Sequence, residues 1–176
     1  MKKCALVIGH KKSSPGAVNK DLGLTEFAFN ESLAMAIEQK VHDVEVQRIY
    51  RRTYASLPDD VNEYEPDFII SLHCNAFNEK ASGTEVLFYH RSNAGKTMAA
   101  ILHKKLVAAL GLKDRGIKPK TAEDRGGYLL KKTSAPCIIS EPFFIDNNDD
   151  LKTVMDQHDD LVAAYASAIE EIAASV

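Results

Sequence analysis

The sequence predicts an α/β fold: a three-layer, mostly parallel open sheet flanked by helices on both faces. Two observations carry this expectation. Short runs at residues 4–9, 68–72 and 137–140 are almost unbroken by polar side chains, as in strands covered on both faces. Segments with helical periodicity lie between such runs, so strand and helix alternate, and right-handed crossovers leave few topologies.

The elements follow in order. Residues 4–9 and 44–49 read as strands. Between them Glu26, Asn30, Leu33 and Ile37, with Phe27, Ala34 and Val41 on the adjoining stripe, predict a helix over about 25–41 with Thr25 as its N-cap. Strands at 68–72 and 85–89 come next. Met98, Ile101, Leu102, Leu106 and Leu110 predict a second helix that ends near Gly111. A strand at 137–140 precedes a third helix built on Leu161, Val162, Tyr165, Ile169 and Ile172. The Pro- and Gly-bearing stretches at 13–16, 115–120 and 126–127 read as loops. With 176 residues, no repeat and no low-complexity stretch, residues 1–176 are expected to form a single domain.

Composition excludes several classes of partner. The net charge is −3 and the two signs are interleaved, so there is no electrostatic footprint for nucleic acid or anionic lipid. Cys4, Cys74 and Cys137 lie in apolar runs without C-x-x-C spacing and read as buried thiols. The apolar run after Lys3 is too short for a signal-peptide core or a membrane span, so synthesis in the cytoplasm without membrane insertion is expected.

Four residues converge on one predicted edge. His10 and His73 follow the first and third apolar runs, Glu141 follows the last, and Glu26 opens the first helix on the same side. In an open α/β sheet the carboxyl ends of the strands are where ligands bind. A lone histidine after a strand is usually structural, and a lone acid at a helix start usually serves the helix dipole; the convergence is what favours function. Two imidazoles and one carboxylate with a fourth position open are the ligand set of a catalytic zinc, which acidifies bound water to a pKa of ~7 and polarises an amide carbonyl. Glu141, set between Ser140 and Pro142 in an apolar stretch, suits the proton transfers that breaking an amide requires. His42, His90, His103 and His158 read as solvated. Cys74 is expected to face away from His73, and the 146–150 run of Asp and Asn reads as a helix-capping loop rather than a calcium loop.

These residues stand in stretches that resemble a known family. Val7-Ile8-Gly9-His10, Glu26 at a helix start, Ile70-Ser71-Leu72-His73-Cys74-Asn75-Ala76, Gly83-Thr84-Glu85-Val86-Leu87-Phe88-Tyr89 and Ile139-Ser140-Glu141-Pro142-Phe143-Phe144-Ile145-Asp146-Asn147 occur in the family's order across nearly the whole chain. The chain is similar to the zinc-dependent N-acetylmuramoyl-L-alanine amidases of the amidase-3 type, particularly the catalytic domains of phage endolysins. The resemblance implies one zinc per chain bound by His10, Glu26 and His73, with Glu141 as catalytic acid-base. It also implies that the bond cut is the amide between N-acetylmuramic acid and L-alanine in peptidoglycan. Asn75 and Arg115 fall at positions that imply substrate contacts. A phage lysin without its own export signal is expected to act on the cell wall after release by a holin-type partner. The chain departs from the family text around the first histidine, where Val7-Ile8 precede and Lys11-Lys12 follow Gly9-His10. Two other functions share the ligand set or the fold. A zinc carboxypeptidase or small-peptide amidohydrolase would shorten stem peptides, and a non-catalytic wall-binding domain would leave murein intact.

Overall fold

The computed structural model describes residues 1–176. In chain order the elements are β1 (Lys2–Ile8), β2 (Val18–Asn19), β3 (Leu24–Thr25), α1 (Glu26–Lys40), β4 (Val44–Tyr50), α2 (Leu57–Asn62) and β5 (Phe68–Leu72). They continue with β6 (Thr84–Tyr89), α3 (Asn93–Leu110), β7 (Asp114–Lys120), α4 (Gly127–Lys132), β8 (Cys137–Glu141), α5 (Asn148–Asp156) and α6 (His158–Ser175). The six-stranded sheet has the order β4-β1-β5-β8-β6-β7, and β2 and β3 form a separate two-stranded ladder. Strands β4, β1, β5 and β8 are parallel; β6 is antiparallel to β8, and β7 is parallel to β6.

Strand alternation explains why the apolar runs are continuous. Cys4, Leu6 and Ile8 of β1, with Phe68, Ile70 and Leu72 of β5, enter the larger core beneath α1, α3 and α6. Ala5, Val7 and Ile69 point the other way, into a smaller cluster with Leu57 of α2 and Leu129 and Leu130 of α4. Both faces are covered, so neither set of side chains could be polar. The long helices begin and end where their caps dictate. Thr25 Oγ1 accepts from Ala28 N at 3.2 Å, and Gly111 closes α3 in the left-handed region at φ 63°.

Several expectations are corrected. Residues 115–120, expected as a loop, belong to β7, an edge strand paired only with β6; an edge tolerates Gly116 and Pro119, which an interior strand would not. Gly127, also expected in a loop, begins α4. His103 is not solvated: its side chain is 12% exposed and lies 3.0 Å from Asp114 Oδ1. The 146–150 stretch does cap a helix, with Asn147 Oδ1 accepting from the N–H groups of Asp149 and Asp150. All three cysteines are buried and unpaired.

The topology fixes where a site can form. Chain direction takes β1 through α1 to β4 on one flank, then through α2 across to β5 on the other, so β1 sits at the point where the strand order reverses. A crevice opens there beyond the carboxyl ends of β1 and β5.

Candidate functional site

His10 stands two residues beyond β1, in the left-handed region at φ 65°, and His73 is the first residue beyond β5. A non-glycine residue at positive φ is strained, and the strain persists where surrounding structure demands it. Glu26 is the first residue of α1 and only 2% exposed. Its Oε1 lies 2.9 Å from His73 Nδ1 and accepts from Cys74 N at 3.0 Å. Its Oε2 accepts from Ala17 N at 3.1 Å and lies 3.1 Å from His10 Nε2. The ligand atoms of these three residues all lie within 4.8 Å of one another. Two glycines permit this approach. A Cβ on Gly16, at φ 80°, would sit 2.6 Å from both Glu26 Oε2 and His10 Cδ2, and a Cβ on Gly9 would meet Leu72 O at 2.4 Å and His73 Cε1 at 2.7 Å.

The electrostatics of the trio leave room for a cation. Burial raises the proton affinity of Glu26, but its contacts with both imidazoles and with the Cys74 N–H outweigh that and hold the carboxyl well below the ordinary range. No lysine or arginine pairs with this buried anion, and His10 Nε2 is buried without a hydrogen bond in good geometry. A dication between the three side chains would satisfy both groups, and imidazole and carboxylate are donors that a zinc ion accepts.

Glu141, the last residue of β8, faces the same cleft. Its partner across the antiparallel pairing is Glu85, near the start of β6. Burial, then the negative charge of Glu85 and a hydrogen bond with it, pushes Glu141 up to about 8, with Glu26 adding to the effect and Arg125 opposing it. Burial would also raise Glu85, but hydrogen bonds from Asn75 and Arg115 and the one with Glu141 hold it below the ordinary value. The two carboxyls thus divide into an ionised Glu85 and a protonated Glu141.

Asn75 and Arg115, expected at the substrate, are both engaged with Glu85. Asn75 Nδ2 donates to Oε1 at 2.9 Å and Arg115 Nε donates to Oε2 at 3.1 Å. Asn75 also lines the cleft, whereas the guanidinium of Arg115 lies over the Phe144 ring at 4.9 Å. Glu85 is the member of the site that sequence reasoning missed, although an acid in the apolar run Thr84-Glu85-Val86-Leu87-Phe88 carries the same signal as Glu141. Cys74 points away from the cleft's reactive groups toward Asn30, and burial holds its thiol protonated.

The cleft has a volume of about 420 Å³. Its lining combines apolar strand residues, Val7, Leu87 and Ile139, with the polar side chains of Arg51, Tyr54 and Arg125. It can therefore hold an extended polar ligand over three metal-competent side chains and a proton-bearing carboxyl.

Comparison with known proteins identifies a family and a shared fold. The family model described as N-acetylmuramoyl-L-alanine amidase matches residues 4–171. The N-acetylmuramoyl-L-alanine amidase LytC of Bacillus subtilis is 30% identical over 153 residues, covering 81% of this chain and 29% of that protein. The endolysin of Bacillus phage SPP1 is 30% identical over 119 residues, covering 63% of this chain and 42% of the endolysin. Among solved structures, the catalytic domain of the CD27L endolysin targeting Clostridia difficile superposes with a TM-score of 0.82 at 25% identity, covering 97% of this chain and 98% of that one. The catalytic domain of CwlV from Bacillus (Paenibacillus) polymyxa var. colistinus shares the fold with a TM-score of 0.84 at 22% identity, covering 97% of each chain. The chain spans only 17% of an uncharacterized cell wall amidase of Bacillus anthracis that it also matches, and less than a third of LytC.

Proposed function

The chain belongs to the N-acetylmuramoyl-L-alanine amidase family, and from that premise we propose that it hydrolyses the amide between N-acetylmuramic acid and L-alanine in peptidoglycan, using one zinc ion held by His10, Glu26 and His73. The observation that carries the proposal is the closure of three ligand-type side chains to within 4.8 Å, beside the half-buried Glu141 carboxyl whose proton affinity is raised. When bound, the zinc would polarise the scissile carbonyl, acidify the attacking water and ease proton loss from Glu141.

The chain's own residues do the rest. Glu26, fixed by Ala17 N and Cys74 N, holds the two imidazoles in place. Once ionised, Glu141 takes a proton from the attacking water and returns it to the leaving nitrogen of alanine, the two transfers an amide needs. Glu85, anchored by Asn75 and Arg115, keeps the proton affinity of Glu141 high enough for the second transfer.

The kinship with a phage endolysin supports a role as a bacteriophage or prophage lysin, made in the cytoplasm and admitted to the wall by a holin-type partner. No helix is long and apolar enough to cross a membrane. The test is product analysis on purified murein sacculi. Release of new alanine amino termini with stem peptides of unchanged length supports the amidase; shortened stems indicate a carboxypeptidase, and intact sacculi a binding domain.

A further inference from the structure

Three of the six arginines are held in ion pairs. Arg48 pairs with Glu38, Arg52 with Asp60 and Arg115 with Glu85. Arg51 and Arg125 have no such partner, yet both line the cleft that holds His10, His73 and Glu141. Arg51 is the first residue beyond β4, at the same rim of the sheet as the candidate metal ligands. It is half-buried, and its Nε is fully buried with no hydrogen-bond acceptor. A guanidinium nitrogen left so is costly unless an anion visits it. Arg125 is exposed in the turn before α4, close enough to Glu141 to oppose its protonation.

The two loops that carry them are tied together. Tyr128 Oη donates to Ala55 O at 3.0 Å, and the Tyr54 and Tyr128 rings lie 5.5 Å apart. The neighbouring acids do not neutralise the pair. Asp124 turns back to accept from Thr121 N at 2.6 Å and Thr121 Oγ1 at 3.1 Å, and Glu123 is held by its own backbone N–H and by Thr121.

We infer that Arg51 and Arg125 form a carboxylate-binding subsite for the stem peptide, taking the free carboxylate of the glutamyl residue that follows the first alanine. The inference rests on the amidase reading for its direction. A carboxyl that protonates the leaving nitrogen must face the peptide side of the scissile bond, and Arg125 neighbours that carboxyl. The sugar side offers no anion, because the lactyl carboxyl is itself consumed in the amide. Guanidinium groups bind carboxylates through paired N–H donors, so replacing the carboxylate by a carboxamide should weaken the contact sharply.

The experiment uses the zinc-loaded protein and two readouts. Binding of L-alanyl-D-glutamic acid γ-methylamide and of its α-carboxamide counterpart, which differ only in the free α-carboxylate, is measured by calorimetry, and turnover is measured on muramoyl peptides carrying either group, for wild type, Arg51→Gln and Arg125→Gln. Melting temperature and zinc content show that the variants remain folded and loaded. The expected result is wild-type preference for the free carboxylate by about tenfold or more, seen in both binding and KM, and loss of that preference in each variant. Equal binding of the two dipeptides, or a preference that survives both substitutions, overturns the subsite while normal turnover leaves the amidase intact. Carboxylate-selective binding without any turnover sinks the amidase reading and upholds the subsite.

Discussion

Glu26 and Glu141 stand in one cleft with opposite protonation tendencies, and each owes this to identifiable neighbours. Glu85 is the cause that can be removed most cleanly. In Glu85→Gln the negative charge facing Glu141 is gone, so the acid limb of the pH–rate profile, where Glu141 must be ionised to take the proton from water, should move to lower pH, and kcat should fall about tenfold or more because the second transfer loses proton affinity. An unmoved profile would show that burial alone sets Glu141. Stability gives a second reading. Glu141 holds its proton up to about pH 8 in the folded protein against 4.5 for an ordinary glutamate. Its stabilising contribution is therefore complete below pH 4.5 and disappears as pH rises through 8. Glu26, whose carboxyl is depressed, contributes above the ordinary value and loses that contribution only in strong acid, so it adds no slope in this window. Metal-free Glu141→Gln should thus gain on wild type from about pH 5 to about pH 8 in thermal melts; a constant gap would mean that Glu141 titrates normally. His10, His73 and Glu141 were legible because a histidine or glutamate after an apolar run is conspicuous, and Glu26 because an acid at the start of the first helix falls on the same rim. Glu85 was not, because it lies at the start of its strand. Only the antiparallel pairing of β6 with β8 brings a strand's beginning to the edge where the others end.

At the scale of elements, the turn from β1 into α1 carries the geometry. Gly16 lies in that turn at φ 80°, against Glu26 and His10, while Gly23 lies nearby at φ 64° with nothing within 4 Å of an added Cβ. The pair makes an internal control. Ala at either position should cost roughly 1–3 kcal/mol of backbone strain in melting experiments. Only Gly16→Ala should also weaken zinc binding, by about tenfold or more, because its methyl group displaces Glu26 or His10. Equal zinc affinity in the two variants would refute the close packing around Gly16. The long helices were legible because three or more turns establish a period. Helices α2 and α4 have six residues each, too few for a repeat to emerge, and α4 is capped by Gly126 and begins at Gly127, a pair that reads as a turn. Strand β7 escaped for a different reason. As a half-covered edge strand with Gly116, Pro119 and three basic side chains, it lacks the apolar signature of its interior neighbours.

For the whole molecule, the reversal of strand order at β1 places the cleft between two halves of the sheet, and a metal held there ties β1, α1 and β5 together. At a zinc concentration about 100-fold above its dissociation constant, binding should add roughly 2.7 kcal/mol to stability. For a domain of this size chelation should then lower the melting temperature by roughly 5–10 °C, reversibly on zinc return. The class of fold was readable from alternation of strand and helix, and the rim from strand polarity. The order of strands was not, since apolar runs state that a strand is interior but not which strands flank it.

The most direct test of the central claim is zinc stoichiometry measured together with peptidoglycan cleavage in wild type, His73→Ala and Glu141→Gln. One zinc per chain in wild type and Glu141→Gln, its loss in His73→Ala, and inactivity of both variants is the expected result. Full wild-type activity after zinc is stripped, or retention of zinc in His73→Ala, would contradict the assignment of His73 as a ligand and Glu141 as the proton carrier.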